Sequence, residues 1–150
     1  MKISMTLAAC GVALLAASAA SAEPWVDYTP VKGAMHATTM QVDPNHVDDY
    51  LVGLKKTWLP GEEIAKKKGL IDFYAIQVKL GGDGHSGNVL LLEHIPDLAL
   101  LEPNKERDQA MEKEVFDAMP KDKMDAQVKD FDKYRTFVSD DYWTGVEFSK

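Results

Sequence analysis

The stretch LIDFYAIQVKLGGDGHSGNVLLLEHI, residues 70–95, decides the fold of this chain. Two runs rich in apolar residues, 70–80 and 88–95, flank a seven-residue segment that contains four glycines. Glycine adopts the positive φ angles that tight connections need, so the pattern predicts two antiparallel strands joined by a longer hairpin loop. A phosphate-binding loop would instead lead from a strand into a helix. The segment is therefore interpreted as a turn.

Metal binding is the alternative interpretation of this loop. Asp83 and Asn88 offer oxygen ligands for calcium, but the loop lacks the alternating donors and the closing glutamate of an EF-hand. The four histidines, at positions 36, 46, 85 and 94, show neither an HExxH motif nor a short paired spacing. The sequence therefore predicts no metal site and no cofactor.

A strand and helical segments are predicted before the hairpin. The run AMHATTMQV, residues 34–42, is rich in β-branched and apolar residues and predicts a first strand. Asp43 as N-cap and Pro44 as the first helical residue then predict a helix. We expect this helix to break at the Pro60-Gly61 pair, and a short charged helix to cover residues 62–69.

Helical spacing returns after the hairpin. A helix predicted from Asn104 is interrupted at Pro120. A further helix is predicted from apolar residues spaced four, three and three positions apart, namely Met124, Val128, Phe131 and Tyr134. The final segment, residues 134–148, has the composition of a strand, and a bend is expected at Ser139-Asp140-Asp141.

The order strand, helix, strand, strand, helix, strand is that of a ferredoxin-like fold, in which an antiparallel sheet carries helices on one face. We therefore predict an α+β protein. Both faces of the hairpin are apolar: alternation directs Tyr74, Ile76 and Val78 one way and Ile71, Phe73 and Ala75 the other. Since the helices cover only one face, the second apolar face predicts pairing with another copy of the chain, as a homodimer.

Over roughly residues 34–148 the chain resembles the dimeric α/β-barrel superfamily. The resemblance lies in the element order and in two patterns, LKKTWLPGEEIAKKKG at 54–69 and IDFYAIQVKL…NVLLLEHIPDLALL within 71–101. In that superfamily two ferredoxin-like sheets pack face to face. Its members include cofactor-independent monooxygenases, haem-degrading enzymes and small-molecule isomerases. The resemblance implies a pocket between the sheet and the helices.

The N-terminus has the anatomy of a secretory signal peptide. Lys2 supplies a positive charge, an apolar run follows, and Ala20-Ser21-Ala22 provides the small-residue pattern that signal peptidase cleaves. The run is shorter than the roughly 20 residues of a membrane span. Lipidation at Cys10 is the alternative, but only six residues precede its Leu7-Ala8-Ala9-Cys10 box. We predict a signal peptide over residues 1–22 and an exported protein, periplasmic or extracellular.

Composition limits what the mature chain does. Cleavage removes the only cysteine, which excludes disulfides and a cysteine nucleophile. The formal net charge of −7 and the lack of a basic stripe argue against nucleic-acid binding, since Lys66-Lys67-Lys68 is the one basic cluster. Residues 23–33 are predicted to form an extended N-terminal arm, and residues 34–150 a single α+β domain.

The candidate site follows from the predicted hairpin register. Symmetric closure about the loop predicts that Tyr74 lies opposite His94, and strand alternation adds His36 to the same pocket. A histidine titrates near neutral pH and a tyrosine donates to a substrate oxygen, so His94 and Tyr74 are the candidate catalytic residues. The candidate ligand-binding residues are His36, Trp58, Phe73 and Trp143, for which core packing is the alternative.

The sequence leaves two functional hypotheses. In the first, which is favoured because no catalytic motif is visible, an exported dimer binds a small apolar or aromatic molecule or acts as a non-catalytic accessory protein. In the second, the chain is a cofactor-independent monooxygenase- or isomerase-like enzyme that uses His94 and Tyr74. A serine hydrolase is not expected, because the chain has no GxSxG motif.

Overall fold

The computed structural model describes residues 21–81 and 86–149. Most of the predicted signal peptide, including Cys10, lies outside the described residues. The same holds for loop positions 82–85, which include Asp83 and His85.

The described residues form six strands and three helices. The strands are β1 Tyr28–Pro30, β2 Ala34–Val42, β3 Phe73–Val78, β4 Val89–Ile95, β5 Arg135–Trp143 and β6 Val146–Phe148. The helices are α1 Val47–Lys67, α2 Lys105–Ala118 and α3 Lys121–Phe131. Short 3-10 helices at Pro44–His46 and Leu98–Leu101 complete the described secondary structure.

Four strands build the main sheet in the order β3-β4-β2-β5, with antiparallel neighbours throughout. This order, together with the succession β2, α1, β3, β4, α2 and α3, β5, confirms the predicted ferredoxin-like α+β fold. The second helical segment is divided in two at Pro120, as predicted. β1 and β6 pair in a separate two-stranded sheet, which attaches the N-terminal arm to the C-terminal end of the chain.

Helix α1 differs from the prediction, because it continues through Pro60 to Lys67 instead of ending there. A proline removes one backbone donor and disfavours a helix interior. Packing of the surrounding turns outweighs this penalty: Leu54 before the proline and Ala65 after it are both buried. The predicted stop is correct, since Gly69 takes a positive φ of 71° after the last turn.

The main core lies between α1, α3 and one side of the sheet, which we call the helix face. Its buried residues are Val42, Tyr50, Leu54, Val89, Leu91 and Phe131. The rings of Tyr50 and Phe131 meet edge to face at 4.9 Å. Gly53 permits this packing, because a Cβ atom there would lie 2.2 Å from the Phe131 ring.

The opposite side of the sheet, which we call the open face, is apolar and partly uncovered. Pairing and alternation give its members, which are Met35, Ala37 and Thr39 of β2, Leu90, Leu92 and His94 of β4, Phe73 and Ala75 of β3, and Trp143 of β5. Phe73 is 45% exposed and Trp143 is 62% exposed. The predicted second apolar face is therefore present with Phe73 and Ala75, whereas Ile71, which precedes β3, packs instead in the core on the helix side.

A β-bulge interrupts the pairing of β2 with β5. Thr39 pairs with Ser139 and Met40 pairs with Phe137, which leaves Val138 without a partner on β2. The predicted bend at Ser139-Asp140-Asp141 thus corresponds to a bulge one residue earlier, within a continuous strand. As a result, Phe137 before the bulge and Asp140 and Tyr142 after it all lie on the helix face.

None of the helices in residues 21–81 and 86–149 combines the length and apolar character needed to cross a membrane.

Candidate functional site

The register of the central hairpin is one step away from the predicted one. Phe73 pairs with His94, and Tyr74 pairs with Glu93. Because one step reverses the face of every side chain, Glu93 joins Tyr74 on the helix face and His94 lies on the open face. The predicted pocket shared by His36, Tyr74 and His94 is therefore wrong.

Asn88, at the loop end of the hairpin, attaches this part of the chain to the neighbouring strand β2. The Asn88 side chain accepts a hydrogen bond from the Val42 amide at 2.7 Å and donates one to the Val42 carbonyl at 2.7 Å. These bonds, with the bond from the Asn88 amide to the Met40 carbonyl, attach Asn88 to β2. Asn88, the candidate calcium ligand, thus uses its side chain to hold the main chain.

On the helix face, four side chains form a continuous row across the sheet, which we call the polar row. Its members are Tyr74 on β3, Glu93 on β4, His36 on β2 and Tyr142 on β5, each paired with the next. Tyr74 and His36 are candidate site residues from the sequence, whereas Glu93 and Tyr142 were not predicted to join them. The correct strand register is the signal that identifies them.

His36 stands at the centre of the hydrogen bonds in this row. Its Nε2 lies 2.7 Å from Asp140 Oδ1, and its Nδ1 lies 3.5 Å from Glu93 Oε2. Tyr142 stacks on the imidazole with ring centroids 4.6 Å apart. Hydrogen bonds from Thr38 and then His36 lower the pKa of Asp140. An imidazole held between two carboxyl groups can accept and pass on a proton.

Helix α1 adds acidic and aromatic side chains above the row. Glu62 is 9% exposed, and burial, followed by repulsion from Glu93, raises its pKa to about 8. Tyr74 donates a hydrogen bond to Glu63, which is the main cause of a raised pKa of the Tyr74 hydroxyl. Trp58 meets the Tyr74 ring edge to face at 5.9 Å.

Glu93 also borders a cavity of about 210 Å³ between the sheet and the helices. We call this the helix-side cavity. Its lining is mostly apolar and comprises Ala65, Leu70, Ile71, Ile95, Leu100 and Leu101, with Glu93, Arg107 and Asp108 as the polar members. The Arg107 guanidinium is already engaged, because it lies 2.8 Å from Asp108 and donates to the Glu102 carbonyl at 2.9 Å.

The remaining predicted site residues are divided between the two faces. Trp58 lies on the helix side, against Tyr74. Phe73, Trp143 and His94 lie on the open face, where His94 Nδ1 contacts Asp72 Oδ1 at 2.6 Å. Their catalytic and ligand-binding roles stay predictions.

The described part of the chain places no three histidine, cysteine, aspartate or glutamate side chains so that they would hold a metal ion.

Comparison with known proteins adds distant structural likeness. No family model and no curated protein matches the chain. A dimeric ferredoxin-like protein from an uncultured marine organism is similar over 79% of this chain and 91% of its own, with 11% identity and a TM-score of 0.42. A haem-binding protein from Thermus thermophilus is similar over 81% and 44%, with 15% identity and a TM-score of 0.40. A conserved protein from Methanosarcina mazei is similar over 79% and 94%, with 18% identity and a TM-score of 0.37.

Proposed function

We propose that this chain is an exported binding protein for a small, mainly apolar molecule, which enters the helix-side cavity. The observation that carries the proposal is the position of Glu93, whose side chain borders the cavity and also contacts His36 of the polar row. Ligand sites are typically apolar concavities with a few polar groups that fix orientation. The helix-side cavity has this composition.

The lining defines the class of ligand. A volume of about 210 Å³ is below the usual range for drug-sized ligands, so the ligand is compact. Glu93 is a hydrogen-bond acceptor at the cavity wall, whereas Arg107 is engaged with Asp108 and a carbonyl. A ligand with an apolar body and one donor group, such as an amine or a hydroxyl, would satisfy Glu93.

Native mass spectrometry on the chain purified from its own host tests the proposal. We expect a mass that corresponds to cleavage after Ala22, together with a retained compound. Glu93→Gln is expected to weaken retention of that compound about tenfold, as the loss of a charge-assisted hydrogen bond implies. Glu112→Gln, an equivalent change on the exposed side of α2, should retain it fully. Equal retention by all three proteins would remove Glu93 from the site.

An acid-base enzyme is the second candidate function, and it rests on His36. The imidazole lies between Asp140 and Glu93, with Tyr142 stacked on it. In this form the enzyme would use His36 in place of the predicted pair of His94 and Tyr74, which lie on opposite faces of the sheet. Turnover of the retained compound that His36→Gln abolishes would favour the enzyme over the binding protein.

We also propose that the protein is a homodimer, formed through the open face. Phe73 and Trp143 are large apolar side chains left exposed there, and exposed apolar patches of this kind mark interaction surfaces. A second copy offers the same surface in a two-fold arrangement.

A further inference from the structure

A second cavity lies where the open face meets the small β1–β6 sheet. It has a volume of about 310 Å³, and we call it the junction cavity. Residues 31–33 and 144–145, which connect the two sheets, form one side of it. Ala34 at the start of β2, and Met35, His94 and Trp143 of the open face, form the rest. The walls all belong to one chain, and the cavity lies at the edge where the open face, proposed to pair with a second copy, meets the small sheet.

The contacts of His94 give its ring a defined orientation in this wall. Nδ1 lies 2.6 Å from Asp72 Oδ1. Since a carboxylate only accepts hydrogen bonds, Nδ1 is the donor in this contact, and the tautomer with its proton on Nδ1 presents Nε2 as an acceptor. Among residues 21–81 and 86–149, no side chain or backbone group forms a hydrogen bond with Nε2.

Gly33 leaves room for this edge of the ring. A Cβ atom at Gly33 would lie 3.1 Å from His94 Nε2 and 2.3 Å from the Ile95 carbonyl oxygen. Gly33 also has a φ of 87°, which side chains rarely adopt. The Nε2 edge of His94 therefore lies against Gly33, which has no side chain that could cover it.

We propose that the junction cavity binds a one-ring phenol, whose hydroxyl donates a hydrogen bond to His94 Nε2. Trp143, 62% exposed, offers an indole surface for the ring, and Met35 offers a thioether, which packs well against aromatic edges. A volume near 310 Å³ is at the lower end for ligand pockets and fits one ring. This site is separate from the helix-side cavity and does not rest on the proposed function.

Titration with 4-methylphenol tests the proposal, and 4-methylanisole, which lacks the hydroxyl hydrogen, is the matched comparison. Calorimetry on the mature chain should show that wild-type protein prefers the phenol about fivefold to tenfold, as one hydrogen bond implies. His94→Phe, which keeps a planar ring, should lose that preference. His46→Phe, the same change at an exposed histidine outside both cavities, should retain it.

A spectroscopic measurement keeps the test independent of how well the variants fold. In wild-type protein, the ¹⁵N chemical shift of His94 Nε2 should move on addition of 4-methylphenol and stay in place with 4-methylanisole. Absence of saturable binding at roughly millimolar phenol, the affinity floor of a weak specific site, would overturn the proposal. So would an unchanged preference in His94→Phe, or its loss in His46→Phe, which would show that the preference does not depend on His94.

Discussion

Glu62 shows how a single acid responds to the core around it. Its carboxyl group lies in α1 near Glu93, and burial is the larger cause of its raised pKa of about 8. A buried carboxyl group that keeps its proton near neutral pH can donate a hydrogen bond, which an ionised one cannot. The protonation of Glu62 therefore changes the charge next to Glu93, which borders the helix-side cavity.

The raised pKa of Glu62 predicts a specific dependence of stability on pH. Between pH 4.5, its ordinary value, and about 8, the unfolded chain loses a proton that the folded chain keeps. Stability from this group is therefore fully present below pH 4.5 and falls as the pH rises. From pH 5 to pH 8, urea unfolding should show wild-type protein losing about 3 kcal/mol more than Glu62→Gln does. An equal loss of stability in Glu62→Gln would contradict the assignment of this pH dependence to Glu62. The control variant Glu112→Gln should lose as much stability as the wild-type protein.

Individual site residues were only partly predictable from sequence. His36, Tyr74 and Trp58 are candidates from the sequence because histidine and aromatic side chains are chemically distinctive in a strand or a helix, and their roles stay predictions. The predicted hairpin register, with Tyr74 opposite His94, puts Glu93 on the other face of the sheet, whereas the observed register, one residue away, puts Tyr74 and Glu93 together on the helix face. No local pattern contains that information.

At the scale of elements, α1 packs against α3 through a glycine. Gly53 faces Phe131 so closely that any Cβ atom would overlap the ring, whereas Gly61, two turns later in the same helix, has no such neighbour within 4 Å. Packing therefore requires a glycine at position 53 but not at position 61.

This contrast predicts opposite effects of one substitution. Gly61→Ala should raise the free energy of unfolding by about 0.5–1 kcal/mol, since alanine favours the helix. Gly53→Ala should lower it by about 1–3 kcal/mol, because overpacking outweighs the same gain. Thermal and urea unfolding would measure both. Stabilisation by Gly53→Ala would mean that α1 and α3 do not pack as described.

Elements were easier to predict than their ends. The first strand was predicted at its observed limits, residues 34–42, because its β-branched run is bounded by glycine and the Asp43-Pro44 pair. The predicted helix break at Pro60 was wrong, because a local rule about proline does not include the burial of Leu54 and Ala65 on either side. Tertiary packing decided that case.

At the scale of the whole molecule, the order of elements predicts the fold class, and the apolar face that the helices do not cover predicts a partner. The ferredoxin-like order of elements can be predicted from the type of each segment, which periodicity supplies. The contacts between side chains across the sheet can be predicted only if the strand register is known. The lining of the two cavities depends on the packing of segments that are distant in the sequence.

The proposed homodimer predicts how the mature chain behaves in solution. Light scattering on residues 23–150 should give a dimer mass. Leu92→Lys, which places a charge at the centre of the open face, should give a folded monomer, because the charge would be buried without a partner. Val52→Lys, on the exposed side of α1, should stay dimeric. A monomer mass for the unaltered chain would leave the open face without its proposed partner.

Because of the bulge at Val138, β5 has one residue more than its pairing with β2 requires. Ser139 and Phe137 already pair with consecutive residues of β2, so loss of Val138 from the gene would shorten the strand while every other pair stayed in place. His36 would still meet Tyr142, and Thr38 would still meet Asp140. A one-residue deletion elsewhere in a sheet strand reverses the faces beyond it. Related genes that differ in length at this position would therefore be expected to keep the same site chemistry.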